Sequence, residues 1–89
     1  MTVTREPKYI EFSEPWPSTS GRTQVWRVYA KAGGEDLGSV RWFGRWRRYA
    51  FFPLVGTVTV FEHECLRDIA DFCEARTVEH RAQRREAIL

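Results

Sequence analysis

Fourteen consecutive residues, Val40 to Pro53, constrain the fold more than any other part of the chain. They hold two of the four tryptophans, three of the six phenylalanines and four arginines. Gly44 lies between two runs rich in aromatic side chains, and Pro53 is expected to end the second run because proline cannot donate a ladder hydrogen bond. The stretch therefore predicts a tight β-hairpin, one face of which the rest of the chain covers.

Two turns fit this hairpin, and they expose different faces. A two-residue loop, Gly44-Arg45, pairs Phe43 with Trp46 and has glycine first, as type II′ turns prefer. It covers an apolar set, Val40, Trp42, Tyr49 and Phe51, and it exposes a basic and aromatic set, Ser39, Arg41, Phe43, Trp46, Arg48 and Ala50. A three-residue loop, Phe43-Gly44-Arg45, pairs Trp42 with Trp46 instead and places Val40, Trp42, Trp46 and Arg48 on one face. We prefer the two-residue loop because it separates apolar from basic side chains, whereas a one-residue slip exchanges the faces.

The remaining strands follow from alternation and turn residues. Residues 23–31 show the clearest period of two, with Trp26 and Val28 on the more apolar face. Gly33-Gly34 predicts the turn that follows. We predict strands over 9–12, 23–31, 37–42 and 46–52, and leave a further short strand within 55–60 open. Trp16, between two prolines, is either an anchor in the core or an exposed contact, and we favour the anchor.

The period becomes helical after residue 60. Five apolar residues fall at i, i+4, i+8, i+11 and i+12 and form one stripe: Phe61, Cys65, Ile69, Phe72 and Cys73. Thr59 is a candidate N-cap. The stripe weakens after Glu74, and residues 76–78 have low helix propensity.

These elements predict an α+β fold, a three- or four-stranded antiparallel β-meander with one C-terminal helix packed on one face. We assign residues 9–76 to a single domain, 1–8 to a flexible N-terminus, and 77–89 to a helix extension or partly ordered tail. A chain of 89 residues supports one small core, and its 15% aromatic content makes that core feasible.

Charge is segregated along the chain although the net charge is only +2. Residues 41–48 hold four arginines and no acid, whereas residues 62–74 hold five carboxylates and one arginine. No apolar run approaches the ~20 residues that span a bilayer, and the N-terminal residues do not form a secretory signal. We therefore expect a cytoplasmic protein with no membrane partner.

The sequence contains no convincing catalytic, metal or cofactor motif. Cys65 and Cys73 lie about 12 Å apart along a helix, too far to form a disulfide with each other. His63 and Cys65 point to different helix faces, and the spacings of a zinc site are missing. We assign no catalytic, cofactor-binding or metal-binding residue and expect a protein that is not an enzyme.

Two motifs carry a resemblance to known proteins. The chain has a Trp-x-x-x-Trp-Arg-x-Tyr-x-Phe-x-Pro pattern from Trp42 to Pro53, and a Cys-Leu-x-x-Ile-x-x-Phe helix from Cys65 to Phe72. In both it resembles a group of small phage and integrative-element proteins of unknown function. The resemblance implies a phage or mobile-element gene acting in a host cell, and it brings no functional residue.

The outer face of the hairpin is the candidate binding surface, with Arg41, Phe43, Arg45, Trp46 and Arg48 as the candidate partner-binding residues. Tryptophan, tyrosine and arginine dominate protein-binding hot spots, so we expect a small non-catalytic interaction protein that binds a protein partner or itself. The alternative is a nucleic-acid-binding protein that uses the hairpin 41–48 for stacking and phosphate contacts. A third interpretation gives the arginines no partner and has them cover the rings of the open face.

Overall fold

The structure is a computed structural model that describes residues 7–56 and 60–88, with side chains to residue 85. Three predictions fall wholly or partly on residues that the structure does not describe. They concern the flexible N-terminus at residues 1–6, the N-cap at Thr59, and residues 57–59 of the possible short strand. Within the described residues the chain forms β1 (Ile10–Phe12), β2 (Trp16–Pro17), β3 (Gln24–Ala30), β4 (Asp36–Phe43), β5 (Arg48–Pro53) and α1 (His63–Ile88). The predicted α+β class is confirmed, with five strands instead of three or four.

The sheet is antiparallel, in the order β1-β3-β4-β5, and β2 pairs with the same strand as β1. Ser13 joins the two short strands to β3. The Arg27 N–H donates to Ser13 Oγ at 2.8 Å, and the Ser13 N–H donates to the Arg27 carbonyl at 2.9 Å. β1 and β2 therefore act as one bent edge strand along β3.

The β4–β5 hairpin has a four-residue loop, so both predicted turns are wrong. Phe43 pairs with Arg48, and residues 44–47 form the loop. Arg47 adopts a left-handed conformation with φ 52°. Glycine and asparagine are the usual residues in this conformation, so the sequence gives no indication of it at an arginine. The register differs from the preferred one by two residues. Since the side-chain period is two, the faces are unchanged, and the predicted apolar set does lie beneath the helix.

Gly38 allows β4 and β5 to approach each other closely. It has φ 144°, and a Cβ atom there would collide with the Phe52 carbonyl oxygen and lie 3.0 Å from the Phe51 ring. An L-residue at this position meets both backbone strain and a backbone clash.

The helix covers the inner face of the sheet with the predicted apolar stripe. The Phe72 ring stacks on Phe12 at 3.7 Å and meets Trp26 edge-on at 5.3 Å. Phe61, just before the helix, packs against Phe51 at 5.7 Å. The buried core consists of Ile10, Trp26, Val28, Leu37, Val40, Tyr49 and Ile69.

Glu62 caps the N-terminus of α1. Its Oε1 accepts a hydrogen bond from the Cys65 N–H at 2.6 Å, which satisfies a helix donor that has no intrahelical partner. The backbone N–H of Glu64, followed by that of Cys65, lowers the pKa of the Glu62 carboxyl by hydrogen bonding to it.

Thr77 ties the second half of α1 to the free edge of β5. Its Oγ accepts a hydrogen bond from the Tyr49 N–H at 3.0 Å and donates one to the Cys73 carbonyl at 2.8 Å. The residue is 7% exposed. The helix passes through the segment of low propensity around Thr77 because a tertiary hydrogen bond supports it there, and it continues to Ile88.

Candidate partner-binding surfaces

The outer face of the sheet carries no helix among the described elements. The register places on it the side chains of alternate residues of β3, β4 and β5. They are Val25, Arg27, Tyr29, Ser39, Arg41, Phe43, Arg48, Ala50 and Phe52. This is the face that the sequence predicts to be open.

The five candidate residues form a surface that we call the hairpin tip patch: Arg41, Phe43, Arg45, Trp46 and Arg48. The Trp46 ring lies edge-on to Phe43 with centroids 4.7 Å apart, and Trp46 remains 61% exposed. The Arg48 Nε donates to the Trp46 carbonyl at 3.3 Å, which holds the loop against its own strand. Trp46 therefore reaches the outer side from the loop, and not from a ladder position as predicted.

Part of the outer face is covered by its own side chains. The Arg41 guanidinium lies 4.1 Å from the centre of the Phe52 ring, and Phe43 meets the same ring at 6.0 Å. Arg27 pairs with Asp36 at 2.9 Å. The interpretation in which arginines cover aromatic rings thus holds for Phe52, whereas Trp46 and its basic neighbours stay open.

Trp16 does not enter the core, and its predicted role as an anchor is wrong. It is 45% exposed and pairs with Val25, which places it on the outer face. Trp16 borders a groove of about 540 Å³ that runs along Ser39 and Arg41 toward Trp42.

A second surface lies at the end of the sheet, where the hairpin loop meets the second half of α1. The Trp42 and His80 rings pack there with centroids 4.5 Å apart. Two adjoining cavities, of about 650 and 320 Å³, share Trp42, His80 and Arg84. We call this surface the arginine cleft, and its basic residues are Arg22, Arg47, Arg81, Arg84 and Arg85.

The cleft was not predicted from the sequence, although one signal for it was present. Arg76, His80 and Arg84 recur at intervals of four and therefore share one face of the helix. Residues 77–89 were predicted to be a helix extension or partly ordered tail, and Arg47 was not among the candidate partner-binding residues. The four-residue loop instead brings Arg47 next to Arg81, whose Nη2 donates to the Arg47 carbonyl at 3.2 Å.

The electrostatics of the cleft are strongly positive. Burial and the Arg84 guanidinium both lower the pKa of His80. Arg76, one turn before His80, is paired with Glu79, so its charge is compensated. No Asp or Glu lines either cavity within the described side chains.

The cysteines form no reactive centre. Both are free thiols on the face of α1 that meets the sheet. Burial raises the pKa of Cys73 to about 11, and burial with the Glu62 carboxylate raises the pKa of Cys65. Among the described residues no three His, Cys, Asp or Glu side chains converge as metal ligands would.

Comparison with known proteins adds no assignment, since no family model, no curated protein and no solved structure matches the chain. Over the part of the chain that the structure describes, no helix has the length and apolarity needed to span a bilayer.

Proposed function

We propose that this protein is a small non-catalytic interaction protein that binds a protein partner through the hairpin tip patch. The observation that carries the proposal is Trp46, which is 61% exposed and rests on Phe43 beside Arg41, Arg45 and Arg48. A large exposed aromatic ring within a rim of arginines is the composition that dominates protein-binding hot spots. In keeping with the sequence resemblance, we also propose a phage or mobile-element origin and a partner from the host cell.

The charge of the patch favours a different protein over a second copy. If two copies met through this patch, the three arginines of one copy would face the three arginines of the other. Like charges that face each other across an interface cost several kcal/mol. A partner that presents carboxylates around an apolar pocket would accept Trp46 and pair with the arginines.

The packing of the tip disfavours nucleic acid as its ligand. Arg41 covers the Phe52 ring, and Trp46 covers Phe43 edge-on. Single-strand platforms need open ring faces on which successive bases stack. The patch offers one exposed ring, Trp46, and an apolar cluster below it.

Site-specific photo-cross-linking tests the proposal. A photoreactive phenylalanine analogue replaces Trp46 in the full-length protein, which is expressed in the natural host cell. The matched control carries the same analogue at Leu66, which is 53% exposed on α1, away from the patch. We expect one discrete adduct from position 46 and none of that mass from position 66.

A second variant makes the result specific. Arg48→Glu reverses one charge of the rim, so the adduct from position 46 should weaken, and purified partner should bind with a Kd at least about tenfold higher, consistent with hot-spot losses. Equal adducts from positions 46 and 66, or binding unaffected by Arg48→Glu, would remove the patch as the binding surface.

A further inference from the structure

The arginine cleft combines a recessed aromatic ring with arginines, and no described Asp or Glu side chain lines its two cavities. Trp42 is half-buried, packs edge-on against Tyr49 at 5.3 Å and borders both cavities of the cleft. The remaining lining is short and polar, from Ser20 and Thr23. The floor of the cleft is therefore aromatic, and its walls are cationic.

The cationic side chains are available to a ligand. Arg22, Arg84 and Arg85 are exposed, and their guanidinium groups form no ion pair with any described carboxylate. Arg81 donates to the Arg47 backbone carbonyl, and neither guanidinium forms an ion pair with a described carboxylate. Arginine binds phosphate oxygens through two parallel N–H donors and keeps its charge at every physiological pH.

The shape selects among polyanions. The bases of a duplex are stacked inside it, so they do not reach a ring at the floor of a cleft. An unpaired base of a single strand is free to enter and stack on tryptophan, a contact typical of single-strand binding proteins. An acidic peptide would meet the same charges but would gain nothing from the Trp42 ring.

The cleft also continues beyond its two cavities. Trp42, Ser20 and Thr23 border both the cleft and the groove on the outer face of the sheet that leads to Trp16. Trp16 is 45% exposed and provides a second ring along this path. A strand lying in the cleft has a route around the end of the sheet.

We propose that the arginine cleft is a binding site for single-stranded nucleic acid, in which a base stacks on Trp42 while Arg22, Arg47, Arg81, Arg84 and Arg85 contact phosphates. This site is separate from the hairpin tip patch. It differs from the use of the outer hairpin face considered from the sequence. Four of its five arginines lie outside residues 41–48, and the fifth, Arg47, lines the cleft beside Arg81.

Fluorescence anisotropy with the full-length protein tests the site. The probes are a labelled oligothymidine of about twelve nucleotides, its duplex with oligoadenosine, and a labelled oligoglutamate of similar charge. We expect micromolar binding of the single strand at about 50 mM salt, and weakening at about 200 mM. Binding of the duplex or of oligoglutamate as tight as that of the single strand would overturn the proposal, as would no binding at ~100 μM protein.

Variants locate the site. Arg84→Gln with Arg85→Gln removes two charges from the cleft and should weaken single-strand binding about tenfold or more at ~50 mM salt. It should also reduce the salt slope by about 1.4, because each single-strand phosphate contact contributes about 0.7. The matched control, Lys31→Gln with Arg67→Gln, removes two exposed charges elsewhere and should leave binding within about twofold.

Two further results bear on the location. The His80 pKa, followed by NMR, should rise when oligothymidine binds, because a phosphate stabilises the imidazolium form. If Arg41→Ala with Arg48→Ala abolishes binding and the Arg84/Arg85 variant retains it, the nucleic acid binds at the hairpin tip. The assignment of the binding site to the cleft would then be wrong.

Discussion

Replacing Thr77 with valine should separate the hairpin from the second half of the helix. Valine has nearly the shape and the helix propensity of threonine, so the substitution mainly removes the hydroxyl. The Tyr49 N–H then loses its acceptor at 3.0 Å in a position that is buried. The Cys73 carbonyl still receives the ordinary backbone hydrogen bond of the helix, so it is not left without a partner.

The expected loss follows from that one donor. A buried N–H without a partner costs about 1–3 kcal/mol, and threonine's own bond back to the helix contributes little. We therefore expect a loss of about 2 kcal/mol in the free energy of unfolding. Thr77→Ser keeps the hydroxyl and removes one buried methyl group, which costs about 0.8 kcal/mol.

Urea denaturation measures the difference. With an m-value of about 1.5 kcal/mol/M, the valine variant should unfold at ~1.3 M lower urea and the serine variant at ~0.5 M lower. Hydrogen exchange locates the effect: a loss of about 2 kcal/mol at this amide should make the Tyr49 N–H exchange about thirtyfold faster in the valine variant. A valine variant as stable as the wild type, or a serine variant less stable than valine, would refute the role of this hydrogen bond.

Three other substitutions or reactions test the same structure. Gly38→Ala should lower the free energy of unfolding by about 3 kcal/mol, or roughly 12–24 °C in Tm, because the new Cβ meets the Phe52 carbonyl at a glycine-only φ; a Tm within a few degrees of wild type would contradict this. Arg47→Gly should raise Tm by ~2–8 °C, since it relieves a left-handed φ at a gain of about 0.5–1 kcal/mol, and a lower Tm would show that the loop is not strained. Cys73, with its pKa raised to about 11 by burial, should remain unmodified by iodoacetamide at neutral pH in the native protein and react after unfolding, as mass spectrometry would show, whereas labelling as fast as in the unfolded chain would contradict its burial.

The sheet and the helix face were predictable because they depend on periodicity. Alternation in β3 and the stripe from Phe61 to Cys73 each identify a buried face, and burial of those faces decides which side of each element meets the other. For the same reason the prediction of the apolar face of the hairpin was correct, although the prediction of its loop was wrong. A shift of two residues leaves every side chain on its side.

The loop itself was not predictable from local residue types. Sequence rules for short turns depend on glycine and asparagine at positions with positive φ. Here an arginine, Arg47, takes that position, and Gly44 does not. The rest of the structure stabilises this choice through Arg81, which lies thirty-four residues further on.

The misplaced tryptophan and the missed cleft share a cause. Both depend on which surfaces the long helix leaves open, and this follows from tertiary contacts such as that of Thr77 with β5. Local propensity around Thr77 argues for a weak point in the helix, yet the helix continues and carries His80 and Arg84 to the end of the sheet. Trp16 stays outside because Trp26 and Phe72 already fill the core beneath β3.

Our two proposals give the aromatic and basic hairpin two binding surfaces, with Trp42 in the cleft and Trp46 on the opposite side. An NMR titration of the 15N-labelled protein with oligothymidine tests this arrangement most directly, after the indole signals are assigned by single Trp→Phe variants. We predict that the Trp42 indole N–H and the Arg84 amide shift with one common Kd while the Trp46 indole N–H stays in place. A titration that shifts the Trp46 indole signal and leaves the Trp42 signal unchanged would contradict the assignment of nucleic-acid binding to the cleft.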